Sequence, residues 1–144
     1  MTETFKFHTE VRVRFAETDA QGIAHHAMYL VWFEVARVDY LARFDGGYPG
    51  LQERGVEALT TEAHARYLGP ARFDDVITIG VRCTGLRGAR FRFEYHLTRG
   101  DAVIAEGWTG HACVDAQTFV PTRVPAYLAE AITAAERSKS PSPS

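Results

Sequence analysis

Between Phe91 and Leu97 the chain alternates without exception: Phe91, Phe93, Tyr95 and Leu97 are apolar, and Arg92, Glu94 and His96 stand between them. A period of two sends successive side chains to opposite faces, so this run predicts a strand with one covered face. Ile77, Ile79, Val81 and Cys83 repeat the pattern, as do Val11, Val13 and Phe15 around Arg12 and Arg14. Leu59, Thr61, Ala63, Ala65 and Tyr67 are expected to share the face of another strand. A last long strand is predicted over 102–114, after the turn residues Gly100 and Asp101. The segment GLRGAR, with Gly85 and Gly88, is a hairpin turn rather than a phosphate-binding loop.

The period changes in two places. Over 26–44 no Gly or Pro occurs, and Tyr29, Phe33, Arg37, Tyr40, Leu41 and Phe44 recur at helical spacing. Met28, Leu30, Val31, Trp32 and Val35 are apolar too, so this helix is expected to be buried on most sides. DGGYPG then reads as a break, with a turn of helix over 51–54, and an amphipathic helix is predicted over 125–137. The order is strand, buried helix, four strands, terminal helix. Short turns between strands imply antiparallel pairing, and a curved antiparallel sheet wrapped round a long central helix is the economical α+β solution. Residues 1–137 are expected to form that domain, and the Ser/Pro-rich 138–144 to be a disordered tail.

Composition narrows the classes. With 46% hydrophobic and 24% charged residues among 144, the chain can build an ordinary globular core without staples. A formal charge of −2 argues against nucleic acid or an anionic membrane surface as main partner. No apolar run approaches the roughly 20 residues that span a bilayer. MTETFKFHTE shows no basic stretch leading into an apolar one, so no signal peptide is expected. Cys83 and Cys113 lack CxxC spacing and sit in apolar alternating runs. They predict buried free thiols in a reducing, cytoplasmic compartment.

Chemistry concentrates in DAQGIAHHAMY, residues 19–29. An acid, two histidines and a tyrosine stand beside the most apolar helix, and Gly22 allows a tight backbone turn. No Ser, Thr, Asp or Asn directly precedes the helix start near His26 or Ala27. Uncapped N–H groups there suit an anion or a developing oxyanion. Asp19 is open to a second reading as a helix cap, since Thr18 and Gln21 have capping-box spacing. His25 and His26 are adjacent, which is poor geometry for one metal, and no HxxxH or HxxE partner lies nearby. No metal or other cofactor is expected. His64, His96 and His111 are isolated on strands, and no GxSxG elbow occurs. Asp19 is left as the strongest catalytic candidate.

These residues resemble the 4-hydroxybenzoyl-CoA thioesterase-like group of hotdog proteins, including the Tol-Pal-associated acyl-CoA thioesterases. The resemblance runs through VRVRFAETDAQGIAHHAMYLVWFEVAR, RYLGPARFDDVITI and HACVDAQTFVPTRVP, nearly the whole chain to about Leu128. It implies a hotdog fold and hydrolysis of a coenzyme A thioester to free acid and CoA. Asp19 would be the catalytic carboxylate, and the backbone N–H of His26 the donor polarising the carbonyl. Gly22 would be the turn glycine and Tyr29 the acyl-pocket wall, with Gly22, His25 and Tyr29 as the substrate-binding set. A homodimer or homotetramer with sites at subunit interfaces is implied, acting on acyl-CoA or on an acyl carrier protein thioester. Met28 departs from the family's usual small polar residue and makes the pocket wall more apolar. Two rivals stand beside this reading. One is an enoyl-CoA hydratase, which would need a His where Ala24 stands; the other is an idle acyl-CoA-binding dimer. Arg66, Arg72, Arg87 and Arg90 are candidates for CoA phosphates.

Overall fold

The alternating segments pair into one five-stranded sheet, and the apolar helix lies across it. The computed structural model describes residues 5–137. In chain order these form β1 (Phe7–Arg12), a 3-10 turn (Phe15–Glu17), α1 (Met28–Leu41), α2 (Gly47–Glu53), β2 (Val56–Tyr67), β3 (Val76–Arg87), β4 (Arg90–Arg99), β5 (Ala102–Asp115) and α3 (Ala126–Arg137). The strand order is β1-β3-β4-β5-β2, and every pairing is antiparallel. The expected tail, 138–144, lies outside the described residues.

The inner face carries Ile77, Ile79, Val81 and Cys83 of β3 and Phe91, Phe93, Tyr95 and Leu97 of β4, all buried as their alternation predicts. Against them α1 sets Trp32, Phe33, Ala36, Tyr40 and Leu41. Phe33 stacks flat on Tyr95 with ring centroids 4.2 Å apart. It also lies over Gly107, where an added Cβ would come within 2.5 Å of its ring. Such close packing makes Phe33→Ala a cavity mutation costing about 3–5 kcal/mol. The opposite side of α1 is uncovered: Leu30, Val31, Val35 and Val38 are each 41–47% exposed.

Three sequence expectations shift. The first strand runs over Phe7–Arg12 rather than from Val11 to Phe15. Pairing with β3 ends at Arg12↔Val76. Val13 is buried just beyond it, and Phe15 turns out at 75% exposed. DGGYPG does not simply break the helix but founds α2, because Gly46 at φ 91° caps it and Pro49 falls in the first turn, where no N–H is needed. Finally, β2 does not present one face throughout. A bulge between Thr60 and Glu62 moves the inward positions from Ala58, opposite Cys113, to Ala63 and Ala65, opposite Thr109 and Gly107.

Candidate active site

The loop joining β1 to α1 is fastened on two sides. Asp19 N–H donates to the Ile23 carbonyl at 2.8 Å, and Gly22 N–H to the Asp19 carbonyl at 2.9 Å. The turn closes through Gly22 at φ 80°, and nothing stands within 4 Å of where a Cβ would be. Glycine is needed there for its backbone conformation, not for room. On one flank His25 N–H donates to the Glu17 carbonyl at 2.8 Å, and on the other Ala24 N–H donates to the Ala71 carbonyl at 2.7 Å.

Asp19 is not a helix cap. Its Oδ1 accepts the Gln21 N–H at 2.8 Å, an Asx turn eight residues before Ala27, the cap position of α1. Its second carboxylate oxygen has no hydrogen-bond partner among the described residues.

Ala27 supplies no side-chain cap to α1, but the expected row of free N–H groups is not there, because His25 takes the capping place. Ala27 N–H donates to His25 Nδ1 at 3.1 Å, and Met28 N–H to the His25 carbonyl at 2.9 Å. The N–H of His26 finds no acceptor among the described residues. Asp19, His26 and Tyr29 line one cleft of about 430 Å³ with Gln21, Ile23, Ala24, Tyr67, Leu68, Gly69 and Pro70. Three of the five candidate residues are therefore brought together, and Gly22 turns the loop behind them. His25 is not among the lining residues. Its ring stacks on that of His26 at 4.5 Å, with Nδ1 already engaged by Ala27. Among the described residues no group of three or more His, Cys, Asp and Glu is placed to hold a metal ion.

Tyr29 is buried, and its phenol is pushed upward in pKa first by that burial and then by neighbouring Tyr67, with Arg99 opposing. It enters the cleft as a neutral hydroxyl-bearing wall. Sequence reasoning does not single out Tyr67, Leu68, Gly69 and Pro70 as site residues. Their signal is present as the stretch YLGP within the resemblance, but nothing local marks the end of a strand as facing a distant loop. Hollows of similar size occur on the outer face of the sheet around Trp108 and along the exposed side of α1. Neither brings an acid together with a backbone N–H left without an acceptor among the described residues, so chemistry rather than volume selects the cleft at Asp19.

A five-stranded antiparallel sheet with a long helix lying across it is the hotdog arrangement. The sequence model of the Thioesterase-like superfamily matches residues 13–132. The acyl-CoA thioesterase YbgC of Haemophilus influenzae is 32% identical over 120 residues, which is 83% of this chain and 88% of that protein. A hypothetical protein of Thermus thermophilus superposes with a TM-score of 0.82 at 34% identity, covering 88% of this chain and 97% of its own. A second protein of that organism, a thioesterase solved with coenzyme A and zinc, gives 0.79 at 27% identity over 94% and 97% of the two chains. The chain belongs to the Thioesterase-like superfamily, and it is a thioester hydrolase.

Proposed function

We propose that the chain hydrolyses acyl-CoA thioesters to free acid and CoA, with Asp19 as the catalytic carboxylate and the His26 N–H as the oxyanion donor. One observation carries this reading. Among the described residues, a carboxylate with one oxygen anchored and the other unengaged shares a cleft with His26, whose backbone N–H has no acceptor. The names of the Haemophilus relative and of the coenzyme A-bound Thermus structure support CoA as the thiol.

With the thioester carbonyl over the start of α1, the N–H of His26 donates to its oxygen and stabilises the negative charge that develops there. The free oxygen of Asp19 takes a proton from water as the water oxygen bonds to the carbonyl carbon. Collapse of the tetrahedral intermediate breaks the C–S bond, and the CoA sulfur leaves with the proton. Direct attack by the carboxylate would instead give a mixed anhydride, which water then opens. Single turnover in ¹⁸O-water separates the two, since only the anhydride route can label Asp19. Ile23, Leu68, Pro70, Tyr29 and Tyr67 make the walls largely apolar and aromatic, which suits an apolar acyl group. Free-thiol release from a panel of acyl-CoAs tests the function, and binding without release would leave the idle dimer instead.

Two features support assembly with a second copy. α1 exposes the apolar stripe Leu30, Val31, Val35 and Val38, and β2, twelve residues long, stands at the sheet edge with one side unpaired. No helix among the described residues is long and apolar enough to cross a membrane. Cys83 and Cys113 are buried and unpaired, and burial pushes their thiols up to about 12 and about 11. Such thiols suit a cytoplasmic protein.

A further inference from the structure

We infer that Tyr67 is a positioning residue of the thioester site, holding from one side the peptide that His25 holds from the other. The inference rests on the reading of the His26 N–H as oxyanion donor. Tyr67 is the last residue of β2, and its hydroxyl donates to the carbonyl of His26 at 3.1 Å. The N–H of that same peptide, on Ala27, donates to His25 Nδ1 at 3.1 Å. Peptide planarity means that gripping both polar ends fixes the whole unit.

The grip matters because the first turn of α1 is loosely closed. Tyr29 N–H reaches the His26 carbonyl at 3.3 Å, and Leu30 N–H reaches the Ala27 carbonyl at 3.2 Å. The peptide on the other side of the His26 Cα is held too, since the His25 carbonyl accepts Met28 N–H at 2.9 Å. Of the polar groups on these two peptides, the His26 N–H alone is left for a ligand among the described residues. Tyr67 is 45% exposed, yet its hydroxyl is directed to backbone rather than left to water. Its ring meets Tyr29 edge-on at 4.9 Å and His26 edge-on at 6.3 Å, which sets the reach of the hydroxyl. An oxyanion donor misplaced by a fraction of an ångström loses much of its worth, because its advantage is preorganisation.

Tyr67→Phe keeps every ring contact and deletes one hydroxyl. The expected result is a fall in kcat of about tenfold, with KM, the melting temperature and the Kd of an S-alkyl-CoA thioether unchanged. The thioether has no carbonyl and reports ground-state binding alone. An unchanged kcat, or a loss confined to KM and the thioether Kd, overturns the inference. The same substitution in a His26→Pro background separates this idea from the reading beneath it. If proline alone lowers kcat and Tyr67→Phe then adds nothing, the hydroxyl acts through the donor. If the two losses multiply, the hydroxyl works by another route and the inference fails while the donor stands. If proline alone leaves kcat intact, the donor reading itself has failed, and the inference falls with it. Should the proline variant not fold, deuterium exchange over residues 25–30 decides. Faster exchange in Tyr67→Phe alongside lower kcat supports the grip, and unchanged exchange overturns it.

Discussion

The N–H of Asp19 donates to the carbonyl of Ile23 at 2.8 Å, and this bond folds the chain back so that Asp19 and His26, seven residues later and just before α1, line one cleft. Backbone hydrogen bonds tie the loop down at several points. The N–H groups of Asp19, Gln21, Gly22, Ala24 and His25 all find acceptors, within the loop, at Glu17 or at Ala71, which leaves less ordering for substrate binding to supply.

Asp19→Asn tests the carboxylate. Asparagine keeps an Oδ1 that can accept the Gln21 N–H at the observed 2.8 Å, so the Asx turn and the melting temperature should survive. Thiol release should drop by roughly 10² or more, because an amide is neither a base nor a useful nucleophile. Binding of acyl-CoA should hold or improve. Full activity with an unshifted melt would remove Asp19 from the mechanism.

His26 separates backbone from side chain. His26→Ala keeps the N–H and should retain a sizeable share of turnover. His26→Pro deletes the donor at a position whose N–H has no acceptor among the described residues, and should reduce turnover by roughly 10²–10³. An alanine variant as inactive as the proline one would show that the imidazole does the chemistry.

Much of this is legible in the chain. Alternation in Ile77–Cys83 and Phe91–Leu97 names eight buried residues correctly, because strands covered on one face leave a period-two record. The absence of a Ser, Thr, Asp or Asn cap is legible as well, but not that His25 would accept the Ala27 N–H in its place. What stays hidden depends on register. The bulge at Thr60/Glu62 reverses the faces of β2, and no local composition marks which residue is the extra one. Tyr67 joins the cleft only because β2 ends where α1 begins, a long-range fact that periodicity does not carry. The same holds for Asp19, whose Asx turn and capping box look alike until the chain is seen to bend.

The uncovered side of α1 predicts self-association. Val31, Val35 and Val38 lie about one turn apart and are each more than two-fifths exposed, a contiguous stripe that monomers rarely leave in water. Light scattering at micromolar concentration should show a dimer or tetramer. Val35→Lys should shift it toward monomer and lower turnover together, if the site is completed between copies. A monodisperse wild-type monomer would refute the assembly.

His111 predicts an acid-labile core. Arg37 NH1 donates to Tyr95 Oη at 3.1 Å, and the Tyr95 hydroxyl is hydrogen-bonded to Thr109 Oγ1 at 2.7 Å. Thr109 Oγ1 is in turn hydrogen-bonded to His111 Nε2 at 2.7 Å, so the ring sits at the end of a buried polar chain. Burial and then the Arg37 charge lower the His111 pKa from 6.5 to about 4, against a smaller upward pull from the Leu59 backbone. Between those values the unfolded chain binds the proton and the folded one does not. The stabilisation is therefore fully present above pH 6.5 and is lost as the pH falls toward 4. At pH 5 the loss relative to neutral should be about 2 kcal/mol. Denaturant melts at pH 7 and pH 5 on wild type and His111→Asn isolate it, because the carboxylates titrate alike in both proteins. The wild type should lose about 2 kcal/mol more than the variant over that interval. Equal losses would mean that His111 takes up its proton in the folded state without resistance, and that its burial beside the Arg37 charge does not oppose protonation.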